Sequence, residues 1–198
     1  LVDFLSTGSP ARENILSLAF AGSDGLARTG AQAPIPKPAD MPDWNIDLVD
    51  MPRYLRRTFL GERTVGYHSS YGCPFRCNFC AVVNLVQGRW LAQPAERVAN
   101  VVRSWHHRWG VDAVEMYDNN FFVHEERVRE FSQRILDLGV NWWGEGRIDT
   151  MLRYPEATWQ LMRKAGLKMV FLGAESGSKE TLERMDKGGS MSPEATLE

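Results

Sequence analysis

From Thr64 to Gly189 the chain alternates between two hydrophobic textures. Four short runs read as strands: TVGYHSS (64–70), VDAVEMY (111–117), VNWWGEGRI (140–148) and LKMVFLGA (167–174). Between and after them lie segments with apolar residues at helical spacing. In Pro94–Trp109 these residues are Val98, Val101, Val102, Trp105 and Trp109, and Pro94 suits the first turn. In His124–Leu138 they are Val128, Phe131, Ile135 and Leu138, and Gly139 supplies the stop. A third helix, Pro155–Ala165, stops at Gly166, and a fourth, Ser178–Lys187, is closed by Gly188 and Gly189. Strand–helix alternation with short, glycine-marked loops gives parallel β/α units. The fold class is therefore α/β, with about four units of a partial (β/α) barrel. Chemistry in such folds sits at the C-terminal ends of the strands, here residues 70–80, 118–122, 145–149 and 175–177.

Residues 1–60 differ in texture, being rich in Gly, Pro, Ala and Asp. AQAPIPKPADMPD (31–43) carries Pro34, Pro36, Pro38 and Pro42 and reads as an extended connector. Leu1–Leu5 and Asn14–Phe20 read as short elements, and Asp47–Leu60 as a short helix or a strap on the next domain. The boundary drawn from composition places an upstream tail and an irregular, Pro-rich linker in 1–60 and the barrel in 61–198. A chain that starts on Leu1, already in mid-pattern, is expected to be a piece of a longer protein.

The net charge of -2 gives no reason to expect nucleic acid or an anionic membrane as a partner, and Arg56, Arg57 and Arg63 are too few to change that. No apolar run is long enough to span a bilayer, and no signal-peptide pattern is visible. The three cysteines, Cys73, Cys77 and Cys80, lie within GCPFRCNFC (72–80). An odd, tightly spaced set is a poor disulfide framework, so the expectation is a reducing, cytoplasmic setting with the thiols on metal.

The spacing is C-x3-C-x2-C. A structural zinc site needs four protein ligands, and no Cys or His follows soon after Cys80. Closed electron-transfer clusters also take four thiolates, in other spacings. Three thiolates leave one iron of a [4Fe–4S] cluster open, and an open metal position is where a substrate or cofactor binds.

The motif, with aromatic Phe79 just before its last cysteine and its place after the first strand, resembles the radical S-adenosylmethionine (radical SAM) superfamily. The resemblance implies that Cys73, Cys77 and Cys80 hold three irons and that S-adenosylmethionine chelates the fourth. It implies reductive cleavage of the sulfonium to a 5′-deoxyadenosyl radical, and a Phe79 backbone near the adenine. MYDNNFF (116–122) resembles the Asp-Asp-x-Phe segment that contacts the methionine amino group. Asp118 matches its first Asp, and Asn119 replaces the second; the alternative is an ordinary turn. In GEGRID (144–149), Arg147 would bind a carboxylate such as that of the methionine moiety, or else pair with Glu145 or Asp149 in the wall. GAESGS (173–178), followed by KETLERMDKG, resembles a Gly-x-Glu-Ser-Gly-Ser signature. There Glu175 and Ser176 would face the ribose or methionine part of the cofactor, while Ser178 suits a helix cap.

Weaker candidates have plainer readings. His68 reads as a satisfied core histidine, His106 and His107 as solvated, and His124 as a loop residue. Trp142 and Trp143, neighbours on a strand, must point opposite ways.

Pro42, Trp44, Asp47, Leu48, Pro52, Arg53 and Tyr54 resemble the junction in the subgroup with an N-terminal cobalamin-binding domain. That subgroup includes anaerobic magnesium-protoporphyrin monomethyl ester cyclases and hopanoid methylases. The resemblance implies cobalamin as a further cofactor, although a D-x-H-x-x-G motif is absent. It implies hydrogen abstraction from an unactivated C–H bond of a small-molecule substrate, for methylation or oxidative cyclisation. The implied reductant is a flavodoxin or ferredoxin. Two alternatives stay open: a cobalamin-independent, methylthiotransferase-like radical SAM enzyme, and a non-enzymatic metal-binding module.

Overall fold

The computed structural model describes residues 15–31, 33–187 and 191–198. The expected element at Leu1–Leu5, residue Asn14 and the closing pair Gly188–Gly189 lie outside the described residues. The chain divides into two compact units, Leu1–Pro36 and Lys37–Glu198. In the first, strands β1 (Ala19–Ala21) and β2 (Ala27–Thr29) pair antiparallel. Their turn is closed by the Gly22 amide bonding to Leu26 O at 2.8 Å.

The compositional boundary at residue 60 falls inside the second unit. The strap does not fold as one helix. Single-turn 3-10 helices form at Ile46–Leu48 and Met51–Tyr54, and another at Pro38–Asp40 interrupts the Pro-rich connector before it. Met51 and Leu60 are buried, and Arg97 donates to the carbonyls of Pro38 at 2.9 Å and Met41 at 2.7 Å. The strap and the end of the connector before it thus belong to the same unit as the barrel, as the strap reading of Asp47–Leu60 expects.

The elements that follow are β3 (Thr64–Tyr67), β4 (Ser70–Gly72), α1 (Val82–Leu85), β5 (Trp90–Ala92), α2 (Ala95–Trp109) and β6 (Ala113–Met116). Then come α3 (Glu125–Ile135), β7 (Asn141–Gly146), α4 (Ile148–Met151), α5 (Glu156–Lys164), β8 (Leu167–Leu172), α6 (Lys179–Arg184) and α7 (Pro193–Leu197). β3, β6, β7 and β8 lie side by side in chain order and pair in parallel. This is one wall of a (β/α) barrel.

Alternation fixes the two faces of that wall. Val65, Tyr67, Val114, Met116 and Trp142 join Val98, Val102, Trp105, Val128, Phe131 and Ile135 of the helices in one buried core. Trp142 packs on Phe121, Phe122 and Phe131 with ring centroids 5.5, 6.1 and 5.3 Å away, and its indole N–H donates to Ala165 O at 3.0 Å. Each such aromatic pair adds about 0.5–1.5 kcal/mol beyond its burial. Trp143 points to the opposite face, edge-on to Tyr117 at 5.9 Å.

Gly166 ends the third helix at φ +94°, and a Cβ there would meet Val140 O at 2.1 Å. Only glycine allows the turn from α5 into β8 to pass so close to the neighbouring strand.

Two expectations change. The first strand does not run straight into the cysteines. It ends at Tyr67, and after His68 and Ser69 the chain starts a separate two-stranded ribbon, β4 with β5, that brackets the cysteine loop. His68 is exposed, not a core histidine, and stacks on Tyr71 at 6.2 Å. The reason is alternation: Tyr67 takes the core side, so His68 must take the other.

Candidate functional site

The cysteine loop starts at Gly72. Its φ is +82°, and a Cβ would lie 2.3 Å from both Arg89 O and Val86 Cγ2. Glycine therefore lets the ribbon turn sharply into Cys73. Behind the ribbon sits Asp118, fully buried at the end of β6. Its carboxylate accepts from the Ser69 amide at 2.7 Å, the Ser69 hydroxyl at 2.6 Å and the Ser70 hydroxyl at 2.6 Å.

The network extends further. Arg127 of α3 donates to Ser69 Oγ at 2.7 Å and to Gln93 O at 2.9 Å, and the Gln93 side chain accepts from the Tyr67 hydroxyl at 2.7 Å. Asp118 thus clamps the strand break from which the loop springs, while the Asn119 side chain accepts from the Gly72 amide at 3.1 Å. Sequence reasoning singled out Asp118 but missed Ser69, Ser70, Gln93 and Arg127. No local pattern marks them, since their partners lie on three different elements.

The three thiols ring a cavity of about 250 Å³ at the C-terminal ends of β6, β7 and β8. Phe79, Asn119, Asn120, Glu145, Arg147, Phe171, Glu175 and Lys187 share the lining. Of the residues singled out in the sequence, the cysteines, Phe79, Arg147 and Glu175 therefore meet at one place. Asp118 and Ser176 do not line it. The Ser176 hydroxyl accepts from the Ser178 amide at 3.0 Å, and Ser178 caps α6 by accepting from Thr181 at 3.3 Å. Glu175 sits at φ +62°, an uncommon conformation for a residue with a Cβ, and accepts from Lys187 Nζ at 2.9 Å. Lys187 also donates to Gly173 O.

Arg147 pairs with Asp149, the wall partner weighed for it from sequence, through two bonds of 3.0 Å. The same guanidinium lies 3.4 Å from Cys77 Sγ. Burial pushes the Cys77 thiol up, while the charge and hydrogen bond of Arg147 pull it down. Burial also raises the Glu145 carboxyl, with the nearby charge of Asp118 adding to it and His68 opposing.

Glu145 gives a sign that can be checked. A carboxyl whose pKa rises on folding binds more protons folded than unfolded, so stability falls as pH climbs above about 4.5 and through the raised value. Glu145→Gln removes the charge, so the variant is expected to gain stability over the wild type at pH 8. That gain should shrink toward pH 4, as read by urea unfolding at both values.

The donor set fits a multi-iron cluster. The three thiols are free cysteines around one cavity. Among the described residues no three His, Cys, Asp or Glu side chains converge where a single ion could sit. Asn120 points its amide nitrogen at Cys73 Sγ, 3.8 Å away, and its buried Oδ1 has no hydrogen-bond partner among the described residues. A buried, unsatisfied acceptor at the wall of a cavity calls for a donor from outside.

Comparison with known proteins gives the relatives. Residues 67–197 match the radical SAM superfamily. An uncharacterized methyltransferase of Pyrococcus horikoshii is 30% identical over 191 residues, which is 95% of this chain and 40% of the relative. The anaerobic magnesium-protoporphyrin IX monomethyl ester cyclase of Rubrivivax gelatinosus is 28% identical over 180 residues, 89% of this chain and 32% of that enzyme. The hopanoid C-3 methylase of Methylococcus capsulatus is 26% identical over 82% of this chain and 32% of its own length. The chain thus spans about a third to two fifths of these curated relatives.

Among solved structures, the cobalamin-dependent radical enzyme OxsB, with aqua-cobalamin and S-adenosylmethionine bound, superposes with a TM-score of 0.74. Identity is 19%, over 99% of this chain and 28% of that one. The methyltransferase TsrM of Kitasatospora setae gives 0.66 at 17% identity, over 98% of this chain and 39% of that one. At such identities the two structures speak to the fold alone.

Proposed function

Because the chain belongs to the radical SAM superfamily, we propose that the cavity ringed by Cys73, Cys77 and Cys80 holds a [4Fe–4S] cluster with S-adenosylmethionine at its open iron. The observation that carries this is the meeting of the three thiols with Phe79, Arg147 and Glu175 around one cavity at the strand ends. When bound, the cluster supplies the electron that splits the sulfonium C–S bond, giving methionine and a carbon radical able to take hydrogen from an unactivated C–H bond.

The chain's own residues bind and orient. The cysteines hold the irons as thiolates. Phe79, half exposed at the rim, offers its backbone to the adenine. Glu175, held by Lys187, faces the ribose or methionine part. Asp118 acts one layer behind, by fixing the loop.

The full-length protein is read as a methyltransferase or oxidative cyclase acting on a small molecule and reduced by a flavodoxin or ferredoxin. A methyltransferase, a cyclase and a methylase among its relatives support the reaction class. Cobalamin as second cofactor is supported by the junction motif around Trp44, and the cobalamin-dependent enzyme OxsB shares the fold. Among the described residues no helix is long and apolar enough to cross a membrane.

The test is an electron paramagnetic resonance spectrum of the full-length protein, reconstituted without oxygen and reduced, with and without S-adenosylmethionine. A cluster signal that shifts on addition supports the reading. A signal indifferent to it, or zinc in place of iron, overturns it.

A further inference from the structure

Arg147 was a candidate for gripping a ligand carboxylate, yet its fork is already filled. Nε and Nη2 each lie 3.0 Å from an Asp149 oxygen. Nη1, the remaining nitrogen, donates to Lys187 O at 2.9 Å and lies 3.4 Å from Cys77 Sγ. The guanidinium also stacks on Phe75, inside the cysteine loop, 3.8 Å from the ring centroid. Arg147 and Asp149 are 6% and 2% exposed. A buried cation is thus locked in place with one N–H aimed at a thiol of the cavity.

We propose that Arg147 is a positioning residue for the Cys77 sulfur and sets the reduction potential of the cluster bound there. The proposal rests on reading the three cysteines as cluster ligands. The warrant is electrostatic. Reduction adds negative charge, spread partly onto the ligand sulfurs. A hydrogen-bond donor and a positive charge beside one sulfur stabilise the reduced form and raise the potential. Low solvent exposure keeps the effect from being screened. Asp149 moderates it, because its carboxylate offsets the guanidinium from the side away from Cys77.

This geometry gives paired predictions of opposite sign. Arg147→Gln removes the cation and lowers the midpoint potential. Asp149→Asn leaves the cation uncompensated and raises it. General damage to the loop would move both variants the same way.

The experiment uses the full-length protein, reconstituted without oxygen. Iron and sulfide per chain are measured first. An EPR-monitored redox titration without S-adenosylmethionine follows. At the wild-type midpoint, R147Q is expected to show about a tenfold lower ratio of reduced to oxidised cluster, equivalent to about 59 mV for one electron. D149N should show a higher ratio than wild type. Where R147Q, with Asp149 left buried and unpaired, takes up no cluster, the double variant R147Q/D149N carries the test and should also fall below wild type.

Shifts of the same sign in the two single variants overturn the inference. So does a ratio within about twofold of wild type in loaded R147Q, or in the double variant where that carries the test. If the wild type itself takes up no cluster, the reading of the three cysteines fails, and this inference with it. A loaded wild type with unmoved variants rejects the role of Arg147 alone.

Discussion

Serine in place of Cys73, Cys77 or Cys80, one at a time, is expected to abolish cluster-dependent chemistry. A serine hydroxyl stays protonated where a thiol gives up its proton, so each change removes one iron ligand outright. With three protein ligands there is none to spare. Losses in outer-shell partners alone cost about 10–100-fold in metal affinity or activity, so losing a ligand should cost more than about 100-fold. The measurement is iron and sulfide content, followed by the yield of 5′-deoxyadenosine from S-adenosylmethionine under reducing conditions. The fold should survive, because all three cysteines lie in the loop after β4 and outside the buried core. Far-ultraviolet circular dichroism should therefore match wild type. Full iron content in any of the three variants would remove that cysteine from the ligand set.

Asp118→Ala is expected to have the second largest effect, and on stability. Removing the carboxylate strands the buried Ser69 amide and two serine hydroxyls, and takes a counter-charge from the half-buried Arg127. Breaking a buried charged network from one side costs about 3–5 kcal/mol. Asp118→Asn keeps one acceptor and should cost about 1–3 kcal/mol. Denaturant unfolding of the full-length protein reads both. Iron loading should fall in parallel, because the ribbon that launches the cysteine loop loses its anchor. An Asp118→Ala variant with unchanged stability but weakened S-adenosylmethionine binding would return Asp118 to the direct cofactor contact that the family resemblance implied.

Much of the candidate site was legible beforehand. C-x3-C-x2-C names its own chemistry by what it lacks, and the strand endings at Arg147 and Glu175 put polar residues where a (β/α) wall places its site. The two residues that the structure sets off the cavity, Asp118 and Ser176, are short polar side chains in turn-rich stretches. Such residues bond equally well to backbone or to ligand, and local pattern cannot choose between the two. The clamp of Ser69, Gln93 and Arg127 was invisible for a related reason. Its members come from the β3–β4 break, the end of β5 and α3, and only their packing brings them within bonding distance.

The sequence by itself determined the parallel order of β3, β6, β7 and β8, the helices between them, and the glycine stop at Gly166. Each follows from hydrophobic period and backbone freedom, which are properties of neighbouring residues. Tertiary structure alone decided where charges ended up. It turned Asp118 away from the cavity, tied the carbonyls of Pro38 and Met41 to Arg97, and set the Arg147 guanidinium against Cys77. Those outcomes depend on which polar groups are buried together. A buried charge takes the partner that packing offers, however far away that partner lies in the chain.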